Sequence, residues 1–203
     1  MVPREGVVLD IGCGSGVALR RIEKDAVRTI GIDISRNAIA YAKSRGNANS
    51  MYLVGSAESL PIASESIDTV VCGDIIEHLE HPDKLAAEIY RVLKYGGTLV
   101  LTTPNNGIVW KMYEFFWDVF GRGRMYRKTH LWAFTRRSIC QLFPGMECRV
   151  MTLFCIAPIC AVIGPQRFLD WGVRIDKRWL EPRNLGTLLF MNATKVNHGK
   201  EET

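Results

Sequence analysis

Short apolar runs alternate with amphipathic stretches through the first half of the chain. The apolar runs predict five strands, over residues 6–10, 29–33, 51–54, 67–72 and 98–103. The intervening stretches predict helices over residues 16–24 and 37–45, and a third helix that opens at Pro82 and ends at Gly96 and Gly97. This alternation is typical of a doubly wound α/β fold with a mainly parallel sheet covered on both faces.

The second half of the chain is less regular. An aromatic-rich helix is predicted over residues 109–120, and Thr135 is the expected cap of a helix over 135–143. Two further predicted strands, 147–154 and 185–193, would complete a seven-stranded sheet, with residues 157–182 as an excursion from it. We expect a single domain over 1–203, with its parts at 1–104, 105–183, a final strand at 184–196 and a polar tail at 197–203.

Composition separates the two halves and excludes several classes of protein. Residues 1–103 carry a net charge of −2 and residues 104–203 a net charge of +7, and the second half holds fifteen of the nineteen aromatic residues. The 47% hydrophobic content excludes a disordered chain. The longest mostly apolar stretch, 151–164, is too short to span a bilayer, which needs about 20 residues. The expected localisation is cytoplasmic, because six cysteines without a CxxC pair indicate reduced thiols and no signal peptide is evident.

A glycine-rich turn follows the first predicted strand. Gly12, Gly14 and Gly16 alternate with other residues there, and Asp10 precedes them. The absence of side chains lets a ligand approach the backbone at the start of the next helix. The dinucleotide-binding fingerprint needs its third glycine at position 17, where this chain has valine. The phosphate-binding lysine of a P-loop is also missing.

Asp33 ends the second predicted strand, 21 residues after Gly12. A carboxylate at this place can accept hydrogen bonds from both hydroxyls of a ribose. Capping of the helix that begins near Ser35 is a second role consistent with the sequence.

Five motifs occur together in one order. The chain resembles class I S-adenosylmethionine-dependent methyltransferases, specifically the small-molecule group that includes ubiquinone and menaquinone biosynthesis enzymes. The matching motifs are VVLDIGCGSG (7–16), GIDIS (31–35), GSAESLP (55–61), SIDTVVCGDIIEHLEHP (66–82) and RVLKYGGTLVLTTPN (91–105). The resemblance implies a transferase with a Rossmann-like methyltransferase fold, an aromatic and basic insertion after strand five, and S-adenosylmethionine as cofactor, released as S-adenosylhomocysteine. Residues 1–104 would bind the cofactor and 105–183 the substrate.

The resemblance also implies which residues contact the cofactor. The glycines and Asp10 would border the methionine part, Asp33 would hold the ribose, and the other residues would surround the adenine or lie near the methionine ammonium. One departure is Ser56, where the family usually has Asp, so we expect weaker recognition of the adenine amino group. The implied cofactor-binding residues are Asp10, Gly12, Cys13, Gly14, Gly16, Asp33, Ile34, Ser56, Ala57, Glu58, Gly73 and Ile75.

Two histidines are candidates for a general base, a role that suits imidazole near neutral pH. His130 matches a His…Phe-Thr element that many relatives place over the substrate pocket, although a packing role is equally consistent with the sequence. His78 would lie beside the cofactor, but for this residue a role in ordering the loop is the stronger alternative to catalysis. No metal site is predicted, because the side chains of Asp74, Glu77 and His78 would not readily aim at one point.

The acceptor is inferred from the second half. Aromatic residues at helical spacing from Trp110 to Phe120, followed by a basic segment, predict a small apolar or lipid-like acceptor that is methylated at oxygen or carbon. The same pattern suits peripheral contact with an anionic membrane surface. RNA or DNA methylation is disfavoured, because no Asn-Pro-Pro-Tyr-like motif follows the fourth strand. A non-catalytic module that binds S-adenosylmethionine is the other alternative.

Overall fold

The computed structural model describes residues 6–22, 28–107, 110–111, 130–153 and 187–197. The predicted helix over 109–120, apart from Trp110 and Lys111, and the excursion over 157–182 lie outside these residues, as does most of the aromatic and basic insertion. The strands are β1 (Val7–Ile11), β2 (Arg28–Asp33), β3 (Ser50–Val54), β4 (Ile67–Gly73), β5 (Leu93–Pro104), β6 (Met146–Leu153) and β7 (Leu188–Lys195). The helices are α1 (Val17–Ile22), α2 (Arg36–Arg45), α3 (Pro82–Val92) and α4 (Arg136–Gln141).

The seven strands form one sheet in the order β3-β2-β1-β4-β5-β7-β6. The first five strands pair in parallel, and β7 runs antiparallel to both β5 and β6. The predicted mainly parallel, seven-stranded sheet is therefore confirmed. Successive strands are added to one side of β1 as far as β3, and from β4 onward they are added to its other side. Ligands of open α/β sheets bind in the crevice at the point where the strand order reverses in this way, here between β1 and β4.

Burial on both faces explains the continuous apolar character of the central strands. Val8 and Leu9 are successive residues of β1 and face opposite sides of the sheet, and neither has any exposed surface. Leu9, Val70 and Leu99, from β1, β4 and β5, lie side by side on one face and are all fully buried. They belong to the main core cluster, which α3 covers with Leu85 and Ile89. Helix α3 begins at Pro82, a residue that the first turn tolerates because its missing N–H has no partner there.

A smaller core cluster is built around the ring of Tyr52 in β3. The ring packs so closely against Gly16, Gly31 and Gly46 that a Cβ atom on any of them would lie only 2.6 to 2.9 Å from it. Leu19, from α1, belongs to the same cluster. The helices on this side can therefore approach the sheet only because the three positions lack side chains.

The end of α3 differs from the prediction. Gly96 and Gly97 do not end this helix, which stops at Val92. The backbone of Leu93 is extended, and this fully buried residue pairs with Ile67 of β4, so β5 begins three residues before the first of the two glycines. Both glycines consequently lie inside β5.

Within the described ranges, no helix combines the length and the apolar character that crossing a bilayer requires.

A buried lysine joins the end of β7 to the beginning of β5. The side chain of Lys195 is 2% exposed, and its Nζ donates a hydrogen bond of 2.8 Å to the carbonyl oxygen of Leu93. The same Nζ lies 3.6 Å from Glu65 Oε1. Its distances to the ring centroids of Tyr90 and Tyr95 are 4.5 and 4.4 Å. A cation held by a carbonyl, a carboxylate and two aromatic faces stabilises this corner of the sheet.

We expect Lys195→Met to lower the free energy of unfolding by about 1–3 kcal/mol, measured by urea denaturation. Methionine keeps the apolar stem, but the Leu93 carbonyl loses its donor and the two rings lose their cation. The matched control is Lys94→Met, because Lys94 is half-exposed and paired only with Asp68 among the described residues. Its loss should cost at most about 1 kcal/mol. A Lys195→Met protein as stable as the wild type would contradict the stabilising role.

Candidate active site

The turn after β1 has a backbone that requires glycine. Gly12 and Gly14 have φ angles of +70° and +51°, a region that side chains strongly disfavour. The amide of Gly12 donates to the carbonyl oxygen of Ile32 at 2.7 Å, which ties the turn to the end of β2. A Cβ atom on Gly14 would meet no atom within 4 Å, so this backbone faces open space. A ligand can therefore lie directly against the turn.

Asp33 connects the glycine turn with the start of α2. Its Oδ2 accepts a hydrogen bond from the amide of Gly14 at 2.9 Å, and its Oδ1 accepts one from the amide of Ser35 at 2.8 Å. The N-cap of α2 is Ser35, whose Oγ accepts from the amide of Ala38. The helix is thus capped by the neighbouring serine. A carboxylate offers about four acceptor positions, so Asp33 retains capacity for two ligand hydroxyls.

A cavity of about 300 Å³ lies beyond the carboxyl ends of β1, β2 and β4. Its wall is mostly apolar, and its polar side chains are those of Asp33, Ser56 and Asp74. Seven of the twelve cofactor-binding residues predicted from the sequence are brought together here: Gly12, Asp33, Ile34, Ser56, Ala57, Gly73 and Ile75. The remaining lining residues, which the sequence reasoning did not assign to the cofactor, are Ile11, Ile32, Gly55, Asp74 and Leu79.

The other five predicted residues lie outside the wall of this cavity: Asp10, Cys13, Gly14, Gly16 and Glu58. Cys13 belongs to the smaller core cluster, and burial, together with the charges of Asp10 and Asp33, raises the pKa of its thiol to about 12. Gly16 packs against Tyr52. The Oε1 of Glu58 accepts from the amide of His81 at 3.1 Å, which fixes the approach to α3.

Asp10 is buried in β1, with 4% of its surface exposed. Burial, and to a smaller extent the negative charge of Asp33, raises the pKa of its carboxyl group from 3.8 to about 7. Two carboxylates so close to the turn favour a cationic ligand, because a positive charge would stabilise the ionised form of both.

His130 and His78 lie next to each other, between the segment that begins at residue 130 and the loop that follows β4. Their ring centroids are 4.8 Å apart, with an angle of 65° between the planes. The backbone carbonyl of Glu77 accepts hydrogen bonds from the amides of Leu131 and Trp132, at 2.8 and 3.2 Å. These bonds hold the segment 130–134 against the loop that follows β4. The sequence reasoning named both histidines but did not predict this contact between them.

A second cavity, of about 190 Å³, is lined by this segment and by residues at and just after the end of β5. Trp132 contributes to its wall and also donates a hydrogen bond of 2.9 Å from Nε1 to the carbonyl oxygen of Leu79, a residue of the first cavity. The two cavities are therefore neighbours, linked through one indole. The lining residues of the second cavity are Pro104, Asn106, Trp110, His130, Leu131, Trp132 and Ala133.

The acidic residues after β4 point in different directions. Asp74 Oδ1 accepts from Thr102 Oγ1 at 3.1 Å, whereas Glu77 Oε2 accepts from Thr103 Oγ1 at 3.0 Å. Successive residues of a strand face opposite sides of the sheet. Asp74 and Glu77 are thus held apart by consecutive threonines of β5.

Comparison with known proteins agrees with this geometry. A family model described as a methyltransferase domain matches residues 9–101. This part of the chain is similar to S-adenosylmethionine-dependent methyltransferases, whose cofactor is S-adenosylmethionine. The residues around the first cavity fit that group: an open glycine turn, a carboxylate with free acceptor positions and an apolar wall.

Curated relatives match about half of the chain. A ubiquinone/menaquinone biosynthesis C-methyltransferase of Desulfotalea psychrophila is 32% identical over 120 residues, which cover 56% of this chain and 49% of the relative. A ubiquinone biosynthesis O-methyltransferase of Mesorhizobium japonicum is 31% identical over 107 residues, or 51% of this chain and 43% of the relative. The chain thus spans about half or less of the length of these relatives.

Solved structures share the fold over nearly the whole chain. The phosphoethanolamine N-methyltransferase 2 of Haemonchus contortus, in complex with S-adenosylmethionine, superposes with a TM-score of 0.68 at 21% identity, covering 97% of this chain and 50% of that one. The [4+2]-cyclase SpnF superposes with a TM-score of 0.67 at 20% identity, covering 95% of this chain and 76% of that one. One fold thus carries different activities, and the acceptor chemistry must be argued from the site.

We expect Gly12→Ala to weaken S-adenosylmethionine binding by about 10-fold, measured by isothermal titration calorimetry. The added Cβ would collide with Cδ1 of Ile75, so this isoleucine, which lines the cavity, must move. The double variant Gly12→Ala/Ile75→Ala removes the collision and should recover part of the affinity, while the backbone strain at a φ of +70° remains. If the double variant binds as weakly as Gly12→Ala, backbone strain at Gly12 is the cause and the steric explanation is wrong.

Proposed function

We propose that this protein transfers a methyl group from S-adenosylmethionine to a small apolar or lipid-like acceptor, at an oxygen or carbon atom. The observation that carries the proposal is the pair of adjoining cavities, one built around Asp33 and the other around His130, with Trp132 hydrogen-bonded between them. The ubiquinone biosynthesis relatives support a small acceptor with an apolar body.

Each part of the cofactor has residues suited to hold it. The sulfonium of the bound cofactor supplies an electrophilic methyl group. Asp33 accepts from the sugar hydroxyls, and the open backbone at Gly14 admits the methionine part. The carbonyl of Gly73 suits the ammonium group. Ser56 Oγ already accepts from the amide of Glu58 at 3.2 Å, so it recognises the adenine amino group more weakly than a carboxylate would.

The second cavity suits an acceptor with an apolar or aromatic body. Leu131 and Trp132, which line this cavity, are 58% and 47% exposed, so their apolar surface is accessible to a ligand. Trp110 and His130 stack with ring centroids 6.4 Å apart on the same wall. A methylated acceptor loses one proton, and we assign its removal to His130.

Turnover tests the proposal. Purified protein should form S-adenosylhomocysteine with phenols or quinols that carry an alkyl tail, faster than with the same head groups lacking the tail. His130→Ala should lower kcat by about 100-fold or more, with an unchanged affinity for S-adenosylmethionine. His81→Ala, at an exposed histidine before α3, is the matched control. Binding of the cofactor without turnover on any tailed or untailed acceptor would favour the non-catalytic module.

Contact with an anionic membrane is a second part of the proposal, and it rests on the net charge of +7 over residues 104–203. Co-sedimentation with phosphatidylserine vesicles, at low and moderate salt, tests this part separately. Binding that falls as salt rises is expected. The membrane contact is wrong if the protein stays in the supernatant at both salt concentrations. It is also wrong if the binding of RNA depends more steeply on salt concentration than the binding of vesicles does.

A further inference from the structure

A buried carboxylate lies behind the two histidines. Glu77 is only 2% exposed, and its Oε2 accepts a hydrogen bond of 3.0 Å from Oγ1 of the fully buried Thr103. Its backbone carbonyl accepts from the amides of Leu131 and Trp132. Glu77 is therefore held through both its side chain and its main chain, against the segment that carries His130.

The carboxylate and the two imidazoles form a compact group. Glu77 Oε1 lies 4.0 Å from Nε2 of His78, and one polar atom from each of Glu77, His78 and His130 can be chosen so that all three lie within 4.8 Å of one another. The side chain of His78 is 40% exposed, whereas His130 lines the second cavity. One end of the group thus faces the acceptor region and the other end faces solvent.

The charges of this group depend on one another. Two imidazolium ions at this separation repel each other, so the pair favours a single proton. Burial raises the pKa of Glu77, the charge of Asp74 adds to this, and Thr103 and His78 oppose it. Among the described residues, Asp74 and His78 are the charged neighbours that act on Glu77. A buried carboxylate stays ionised most readily when a neighbouring histidine carries a proton.

We propose that Glu77 is a positioning residue that keeps one proton on the His78–His130 pair and so directs the acceptor's proton from His130 through His78 to solvent. This inference rests on the proposed function. During methyl transfer the bond from the acceptor to its hydrogen breaks, and that electron pair becomes available for the new bond to carbon. The proton passes to a nitrogen of His130, and His78 releases one proton to water. The electron pair of the broken C–S bond stays on sulfur.

Nuclear magnetic resonance titration of the histidine rings tests this without turnover. Glu77→Gln should move the pH dependence of the ring signals of His78 and His130 to lower pH, because the imidazoles lose their carboxylate neighbour. Glu80→Gln, an exposed carboxylate in the same segment, is the matched control and should leave both titrations unchanged. If Glu77→Gln does not fold, Thr103→Val should shift the titrations in the same direction, because the carboxylate loses its donor.

Kinetics supply the second measurement. Glu77→Gln should lower kcat by about 10-fold, move the acid limb of the kcat profile to lower pH, and change KM for S-adenosylmethionine by less than a factor of two. A histidine titration that Glu77→Gln leaves unchanged overturns the inference even if the protein is an active methyltransferase. A titration that shifts when EDTA or Mg²⁺ is added also overturns it, because the three groups would then hold a metal ion.

Discussion

Asp33→Ala should weaken S-adenosylmethionine binding by about 100-fold or more, because a carboxylate contributes about 1.5–3 kcal/mol through each hydrogen bond it accepts. The substitution removes the expected acceptor of the sugar hydroxyls. It also removes the two bonds from the amides of Gly14 and Ser35 that hold the turn against α2. Calorimetry with S-adenosylmethionine and with S-adenosylhomocysteine should show the same loss, since both carry the same sugar.

Two further variants separate binding from helix stability. Asp33→Asn keeps one carbonyl oxygen as an acceptor and should lose about 10-fold in affinity. Ser35→Ala removes the cap of α2 but leaves the carboxylate intact. It should lower stability by about 1 kcal/mol with little change in cofactor affinity. Unchanged binding by Asp33→Ala would remove the basis of the proposed cofactor site.

Asp10→Asn should stabilise the ligand-free protein at alkaline pH. The pKa of Asp10 is about 7 in the folded protein and near 3.8 when unfolded. Its contribution to stability is fully present below pH 3.8 and is lost as the pH rises to about 7, because the ionised form is disfavoured in the fold. Asparagine stays neutral, so the gain at pH 8 should reach up to about 4 kcal/mol and should be smaller at pH 5.

Urea unfolding at pH 5 and pH 8 measures this difference. Asp68→Asn is the control of opposite sign: burial raises the pKa of Asp68, but bonds from Lys94 and the amide of Val7 outweigh this and lower it. Its neutralisation should therefore destabilise the protein at pH 8. If Asp10→Asn is no more stable than the wild type at pH 8, the fold does not raise the pKa of the Asp10 carboxyl group as expected.

The sheet and the glycine turn could be predicted because their signals are local. An apolar run such as residues 67–72 identifies a buried strand by itself, and the turn requires glycine within a few residues of β1. The boundary between α3 and β5 was missed because Leu93 continues the apolar spacing of the helix. Only its pairing with Ile67 places it in the sheet.

The two histidines could be named from the sequence, but their contact could not, because it joins distant parts of the chain. His78 and His130 are 52 residues apart in the sequence, and no local pattern relates them. The hydrogen bond from Trp132 to Leu79 likewise joins residues 53 positions apart. Glu77 reads as an ordinary acidic residue at a helix start, and its burial follows only from the packing of Thr103 and the segment 130–134.

The ring of Tyr52 also constrains how this protein can diverge. Three glycines from separate elements touch one aromatic side chain, so none of them can gain a methyl group while the tyrosine remains. Homologues that replace this tyrosine with a smaller residue should be free to accept alanine at position 46, where φ is −75°. Alanine at position 31 would still collide with Cys13 and Leu19. Position 16 should stay glycine in either background, because its φ of +75° would still strain a side chain. Covariation between positions 46 and 52, with glycine kept at positions 16 and 31, is the evolutionary trace that this packing predicts.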